Sequence, residues 1–163
     1  MALADEDLVR LAGHMKDMLL SSTPCWGDPK RVAIGHHVGL SNTLFNTVGG
    51  TISVGDYSFF GHNVVLLTGS HEIRKRRQGR RYPVQTSGCD IVIGKGVWIA
   101  SNATVIGPCT IGDDAVVAAG SVVLGGDLEA GCVYAGAPAR WVKKIDFLPD
   151  DEQELEVPVV VLP

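Results

Sequence analysis

The sequence is dominated by a period of six residues in its aliphatic side chains. Every sixth position is aliphatic along one long stretch, at Ile93, Ile99, Val105, Ile111, Val117 and Val123. A helix needs a spacing near 3.6 residues and a flat strand a period of two, so neither accounts for a strict six. A coil with short flat sides accounts for it, because each hexapeptide forms one side and directs one aliphatic side chain inward.

The same spacing recurs upstream at Ile34 and Leu40, and again at Val54, Phe60 and Leu66. Small residues follow most of these positions and allow the backbone to turn a corner. If three sides close a triangle, residues eighteen apart stack as rungs of one continuous core. We therefore expect three stacked pairs: Ile93 on Ile111, Ile99 on Val117, and Val105 on Val123.

The six-residue phase breaks twice. Fourteen residues separate Leu40 from Val54 where twelve would keep the phase, which predicts a bulge at residues 46–50. Twenty-seven residues separate Leu66 from Ile93, so residues 72–88 are expected to leave the coil as a loop. Loops on a rigid scaffold are where binding and catalytic groups concentrate.

The stretch IGKGVWIASNATVIGPCTIGDDAVVAAGSVV, residues 93–123, resembles the signature of the hexapeptide-repeat transferases. The resemblance runs from about residue 32 to residue 145 and implies an all-β fold, a left-handed parallel β-helix. The handedness comes from the resemblance, because parallel crossovers are nearly always right-handed. The chain then divides into an N-terminal helical segment at 1–30, the β-helix with its loop at 31–136, and a short C-terminal helix with an acidic tail at 137–163.

Charge and composition narrow the range of partners. Six of the fourteen basic residues lie between Arg74 and Arg81, a compact cluster that suits an anionic ligand better than nucleic acid. The four cysteines lack the spacing of a zinc site, so no metal is expected. No apolar run approaches a membrane span, and charged residues interrupt the N-terminus where a signal peptide would lie. We expect a cytoplasmic protein.

The residues around His71 resemble the maltose and galactoside O-acetyltransferase branch, in which the catalytic histidine precedes a loop and then an IGxxVWI-like segment. Histidine suits the role of general base because its ordinary pKa of about 6.5 leaves it mostly neutral at pH 7. The resemblance implies that an acetyl group passes from acetyl-CoA to a sugar hydroxyl. In that reaction His71 would take the hydroxyl proton and Asn42 would bind the acceptor.

The same resemblance implies an acetyl-CoA site along the later coils. Trp98 would pack along the pantetheine arm, the backbone N–H of Ser101 would face the thioester carbonyl, and small residues would let the arm lie against the coil. The matching positions are Trp98, Ala100, Ser101, Ala118 and Ala119, with Arg140, Lys143 and Lys144 as cations for the CoA phosphates. In this fold the groove lies between neighbouring subunits, which implies a homotrimer with three shared sites.

Two departures from the branch bear on the ligands. Relatives carry Thr-Lys after the GSVV segment, and this chain has Leu124-Gly125, so one phosphate-binding lysine is missing. The acidic acceptor-binding residue near the N-terminus of relatives has no clear counterpart. The basic loop, with Arg76 and Arg77 as candidate substrate-binding residues, suggests a phosphorylated, nucleotide-linked or acidic sugar. A merely solvated loop is the competing interpretation.

Several alternatives stay open. O-acetylation of a polysaccharide or lipid-linked precursor, in polysaccharide biosynthesis, and N-acetylation of an amino-sugar nucleotide would use the same base and donor. A β-helix without catalytic activity, acting as a scaffold, belongs to another class. Carbonic anhydrases with this fold bind zinc through three histidines. His36 and His71 match two of them, but the third position holds Arg76, which cannot bind zinc.

Overall fold

The computed structural model describes residues 24–82 and 84–149, which wind into a parallel coil of short strands. The strands are β1 (Cys25–Trp26), β2 (Val32–Ile34), β3 (Leu44–Asn46), β4 (Ile52–Val54), β5 (Phe59–Phe60), β6 (Val65–Leu67), β7 (Ile91–Ile93), β8 (Trp98–Ile99), β9 (Thr104–Ile111), β10 (Val116–Val117), β11 (Val122–Leu128), β12 (Cys132–Gly136) and β13 (Ala139–Lys144). A 3₁₀ turn spans Pro29–Arg31, and a short helix, α1 (Gln78–Arg81), lies between β6 and β7.

The strands form the three faces of a triangular prism. Face I contains β2, β4, β7 and the second halves of β9 and β11. Face II contains β5, β8, β10, β12 and β13. Face III contains β1, β3, β6 and the first halves of β9 and β11. The fold is a left-handed parallel β-helix, which confirms the expected fold class.

The predicted rungs are confirmed by the strand register. Ile93 pairs with Ile111, Ile99 pairs with Val117, and Val105 pairs with Val123. All six side chains are at most 2% exposed, because each is covered by the rungs above and below and by the inward residues of the other faces. The core is therefore a continuous ladder through the prism, as the six-residue period predicts.

The first coil shows how the period can slip without opening the core. Leu40 is followed five residues later by Phe45, which is 1% exposed and pairs with Leu66 on the next coil. The strict period would have put Asn46 in that position. The predicted bulge lies after this strand, between Asn46 and Ile52, where the backbone covers the extra residues before face I begins again.

The flanking segments differ from the expectation at one end. The sequence predicts a short C-terminal helix, and the structure instead has strand β13 over Ala139–Lys144, paired antiparallel with β12. The helix prediction is wrong because the last coil leaves an unpaired edge on face II, and the chain folds back to satisfy its N–H and C=O groups. The predicted N-terminal helix and most of the acidic tail lie outside the described residues.

No helix within residues 24–82 and 84–149 combines the length and the apolar character needed to cross a membrane.

Candidate active site

His71 lies where the chain leaves the coil, just beyond β6 at the end of face III. Gly69 permits a close approach here: a Cβ added to Gly69 would lie 3.1 Å from Oδ1 of Asn46, tighter than most side chains tolerate. The imidazole of His71 is exposed, and it makes no hydrogen bond or ion pair with the part of the chain that the structure describes. Its nitrogens are therefore open to an incoming ligand.

Three adjoining clefts share His71 as a lining residue. The largest, of about 440 Å³, is lined by Ser70, His71, Glu72, Ile73, Lys75, Val84 and Gln85. A second, of about 270 Å³, is lined by Trp26, Asn46, Val48, Gly69, Ser70, His71, Arg81, Tyr82 and Val84. A third, of about 250 Å³, is lined by His71, Arg77, Arg80 and Arg81. Arg77 thus lies beside His71, whereas Arg76 lines none of these three clefts.

The basic loop is held by bonds within itself and to the coil. Arg80 donates from Nε to the carbonyl of Lys75 at 2.9 Å and from Nη2 to the carbonyl of Ile73 at 3.2 Å. At the other end of the loop, Arg31 of the first coil donates from Nη2 to the carbonyl of Thr86 at 3.2 Å. These bonds keep the loop folded over the exit point rather than extended into solvent.

Glu72 follows His71 directly, but its carboxylate is engaged elsewhere. Arg74 donates to it from Nε at 2.9 Å and from Nη2 at 2.8 Å, and also from its backbone N–H at 3.0 Å. The side-chain hydrogen bonds from Arg74, followed by that of its backbone, lower the pKa of Glu72 to about 2. Glu72 is consequently ionised at neutral pH and is not available as a proton donor.

The predicted donor residues come together at another corner, between faces II and III. Ser101 and Ala119 occupy the turns of successive coils, and Gly120 donates its N–H to the carbonyl of Ser101 at 2.9 Å. The hydroxyl of Ser101 accepts the N–H of His62 at 3.1 Å, which fixes the turn. The backbone N–H groups of Ser101 and Ala119 donate to nothing among the described residues.

The other predicted donor positions extend from this corner along face II. Trp98 is 44% exposed and stacks on Phe59, with ring centroids 5.8 Å apart. Ala118 is half-buried, while Ala100 is 9% exposed and lies in the wall of the coil rather than on its surface. The three predicted cations all lie exposed on β13 at the far edge of this face: Arg140, Lys143 and Lys144.

Asn42 is at the donor corner and not beside His71 of the same chain. Its Nδ2 donates to Oδ1 of Asn63 at 2.6 Å, and its Oδ1 accepts the backbone N–H of Asn63 at 2.7 Å. Asn63 in turn donates from Nδ2 to Oδ1 of Asn102 at 3.3 Å. Asn42 is thus the first member of an asparagine ladder that joins three coils at one corner.

Among residues 24–82 and 84–149, no three His, Cys, Asp or Glu side chains are grouped to hold a metal ion.

Sequence reasoning missed the residues that share the second cleft with His71. Trp26 pairs with Asn46, and Asn46 pairs with Leu67 of the next coil, so all three lie on the edge of face III that leads to His71. Continuing the coil register upstream past the slip at Phe45 would have found Trp26 and Asn46. Tyr82 has no such signal, because it lies in the loop, whereas Arg81 belongs to the basic cluster that the sequence already identified.

Comparisons with known proteins agree with this architecture. Residues 90–125 match the family model described as bacterial transferase hexapeptide (six repeats). The protein YJL218W of Saccharomyces cerevisiae, named as an acetyltransferase, is 30% identical over 138 residues, which cover 83% of this chain and 67% of the yeast protein. The chain belongs to the hexapeptide-repeat transferase family.

Two solved members of this family extend the likeness to three dimensions. A maltose O-acetyltransferase from Clostridium difficile 630 aligns with a TM-score of 0.68 at 30% identity, over 77% of this chain and 65% of that one. The hexapeptide-repeat acetyltransferase VCA0836 from Vibrio cholerae, complexed with acetyl-CoA, aligns with a TM-score of 0.62 at 30% identity, over 76% and 65%. The predicted family of hexapeptide-repeat acyltransferases is confirmed. The chain spans about two thirds of the length of these relatives.

Proposed function

We propose that this hexapeptide-repeat transferase moves an acetyl group from acetyl-CoA to a hydroxyl of a sugar or sugar-containing acceptor, with His71 as general base. The observation that carries the proposal is the exposed imidazole of His71, which has no partner in the described chain and opens into three clefts under the basic loop. A maltose O-acetyltransferase among the solved relatives supports a sugar as the acceptor class. We expect the activity in the cytoplasm, where acetyl-CoA is supplied.

The chemistry requires a base, an oxyanion donor and a donor groove. The imidazole of His71 removes the proton from the acceptor hydroxyl as the hydroxyl oxygen attacks the thioester carbonyl. The free N–H of Ser101, at a rigid turn, is suited to hydrogen-bond the oxyanion of the tetrahedral intermediate. Collapse of that intermediate breaks the C–S bond, and the imidazolium returns its proton to the departing thiolate of CoA.

The donor groove runs along face II. The exposed ring of Trp98 offers an apolar surface for the pantetheine arm, and the small side chains of Ala118 and Ala119 leave room for it. Beyond them the cations of β13 are exposed for the CoA phosphates. The VCA0836 complex with acetyl-CoA supports this class of donor for the family.

His71 and the donor corner lie at opposite ends of face III within one chain, so a single chain does not bring them together. We infer a homotrimer in which His71 of one chain faces Ser101 and Ala119 of its neighbour. A cyclic arrangement gives three identical shared sites, whereas a two-fold dimer does not.

Mixing two inactive variants tests this arrangement. His71→Ala removes the base, and Ala119→Trp obstructs the donor groove, so each purified variant should release little thiol from acetyl-CoA with a sugar acceptor. After unfolding and refolding at a one-to-one ratio, about a quarter of the shared sites should be intact and activity should return to about that level. A mixture as inactive as its parents would refute the shared site, while thiol release by His71→Ala alone at the wild-type rate would remove His71 from the mechanism.

N-acetylation of an amino-sugar nucleotide is the second candidate. It is favoured by one observation, the arginine side chains that line the clefts beside His71 and could hold a pyrophosphate. A thiol-release assay over neutral sugars, acidic sugars and amino-sugar nucleotides separates the two, because only the amino-sugar nucleotide yields an amide that resists mild alkali.

A further inference from the structure

The second cleft, of about 270 Å³, has the size and lining of a subsite for one sugar ring. Two large aromatic side chains line it, and both are unusually exposed: Trp26 at 72% and Tyr82 at 60%. Exposed aromatic rings around a concave, partly polar surface are typical of ligand sites, since their apolar faces gain from being covered. Trp26 comes from the first coil and Tyr82 from the loop, so the cleft exists only because the loop folds back over the coil.

One amide side chain, that of Asn46, lines the same cleft as His71. Asn46 lies beside Gly69, two residues before His71, and its Oδ1 accepts the backbone N–H of Val48 at 3.0 Å. That bond orients the amide and leaves its Nδ2 without an acceptor among the described residues. A sugar ring in this cleft would therefore meet a hydrogen-bond donor from Asn46 and a base from His71.

Positive charge is concentrated on the loop side of this cleft. Arg81 lines both the second cleft and the third, where it is joined by Arg77 and Arg80. Within residues 24–82 and 84–149, none of these three guanidinium groups has an ion-pair partner, and the one ion pair of the loop joins Arg74 to Glu72. Three unpaired cations around one cleft attract an anion and repel one another without it.

The loop holds two of these three cations, those of Arg80 and Arg81, through side-chain contacts. Arg80 is bonded to two backbone carbonyls, and the guanidinium of Arg81 lies 5.4 Å from the ring centroid of Tyr82. Arg77 has φ 52° and ψ −130° immediately before α1, a conformation that non-glycine residues rarely adopt. Strain of this kind persists where the surroundings enforce it, and it is commonly found at binding sites. Preorganised guanidinium groups suit carboxylate and phosphate oxygens.

We propose that the acceptor of this enzyme is a sugar bearing a phosphate or carboxylate group. Its ring lies between Trp26 and Tyr82, its anionic group binds Arg81 with Arg77 and Arg80, and its reacting hydroxyl faces His71. The proposal rests on the function proposed above and assigns its acceptor class and subsite. The phosphates of CoA could bind the same arginines, so the experiments below distinguish binding of an anionic acceptor from binding of CoA.

The kinetic test compares galactose, galactose 6-phosphate and galacturonic acid in the thiol-release assay with acetyl-CoA. For the wild type we expect kcat/KM at least about tenfold higher for an acidic sugar than for galactose. Arg81→Gln should lower the ratio of kcat/KM for the acidic sugar to kcat/KM for galactose by about 10- to 100-fold, and Arg81→Lys should keep part of the preference. Lys95 lies at the turn between β7 and β8 and lines none of the three clefts, so Lys95→Gln, which also removes one positive charge, is the control and should change neither kcat/KM value.

Two results would overturn the proposal. Equal use of neutral and acidic sugars by the wild type would remove the anionic acceptor. A higher KM for acetyl-CoA in Arg81→Gln, absent when acetyl-dephospho-CoA is the donor, would assign the arginines to CoA instead.

A binding measurement keeps the subsite testable even if the chain transfers no acetyl group. Isothermal titration of the full chain with galactose 6-phosphate should show binding that Arg81→Gln weakens about 10- to 100-fold and Trp26→Ala weakens about tenfold. Binding without thiol release from any acceptor would refute the proposed function alone. An absence of wild-type binding, or binding of galactose 6-phosphate indifferent to Arg81 and Trp26, would refute the subsite.

Discussion

The upper coils, residues 91–128, and the lower coils, residues 25–90, build the same rungs with different regularity. In the upper coils, residues paired between neighbouring turns are eighteen apart as far as Leu124, as in Ile93 with Ile111, and seventeen apart after the bulge that follows it. In the lower coils the separation is twenty for Ile34 with Val54 and twenty-one for Phe45 with Leu66. It reaches thirty-nine where the loop intervenes, between Leu66 and Val105. Only the inward positions have to be kept, and the corners accept insertions.

In the proposed mechanism, the upper coils bind the donor and the lower coils bind the acceptor. The upper coils supply flat, repeated corners with free backbone N–H groups and small side chains, which suit a long and invariant donor. The lower coils supply the exposed histidine and the arginine-rich loop, which suit recognition of a particular acceptor. If that division is correct, changes in the two regions should have separable effects.

The largest effect is expected for the base in the lower coils. His71→Ala should reduce turnover by about 10²- to 10⁴-fold, because proton removal by a positioned base contributes that much to catalysis. The far-ultraviolet circular dichroism and the oligomeric state should not change, since the side chain is exposed. His36→Ala, another exposed histidine on a corner, is the control and should retain the wild-type rate. Comparable losses in both variants would contradict the specific role of His71.

A core substitution in the upper coils should act on stability instead. Ile93→Ala is expected to lower the free energy of unfolding by about 2–5 kcal/mol, because Ile93 is buried between Val54 and Ile111. Val92 of the same strand is 45% exposed, and Val92→Ala should cost less than about 1 kcal/mol. Urea unfolding followed by circular dichroism measures both. Similar losses for the two variants would show that the inward ladder does not dominate stability.

The cysteines provide a chemical probe of the same ladder. Burial, with a smaller contribution from the charge of Asp127, raises the pKa of the Cys109 thiol from 9.0 to about 11. At pH 8 its thiolate is then about 100-fold rarer than that of an ordinary thiol, and iodoacetamide should react correspondingly more slowly. Peptide mapping compares Cys109 with the half-buried Cys25. Equal rates at the two residues would mean that the upper coils open readily.

The raised pKa of Cys109 also predicts the direction of a pH effect. Between about pH 9 and pH 11 the unfolded chain loses the thiol proton while the folded chain retains it. Stability therefore falls as the pH rises through this window, and Cys109→Ala should weaken this fall. Thermal unfolding at pH 8 and pH 10.5 measures the difference.

The smallest effect is expected at the donor corner. Ala119→Val should raise the KM for acetyl-CoA by about tenfold, because its side chain narrows the groove that Ala119→Trp blocks. The KM for the sugar should stay constant, because the acceptor is assigned to the lower coils. A rise in the sugar KM alone would reverse the assignment of the two regions.

The fold was largely predictable because one physical requirement repeats. An inward-facing aliphatic ladder leaves a period in the sequence, and that period is sufficient to place the rungs from Ile93 to Val123. The six-residue period does not predict Phe45, where the spacing shortens to five residues. It also does not predict strand β13, where pairing with the open edge of β12 outweighs the local preference for a helix. Neither event repeats, so neither leaves a period.

Residues of the candidate site were easier to predict where they follow the six-residue repeat. The proposed donor positions occupy successive corners of the regular repeat, so the family resemblance assigned Ser101 and Ala119 without a gap. His71 was found because it marks the exit from the coil. Trp26 was not found because the six-residue period slips at Phe45 before its strand is reached, and Tyr82 was not found because it lies in a loop without periodicity.

The asparagine ladder has a consequence for how such chains can diversify. Asn63 and Asn102 are neighbours in space although the whole excursion loop lies between them in the sequence. Insertions or deletions in the loop therefore leave the asparagine ladder in place, together with the turn at Ser101. If the proposed division of the site is correct, the loop that recognises the acceptor can change in length and sequence during evolution while the donor corner is conserved.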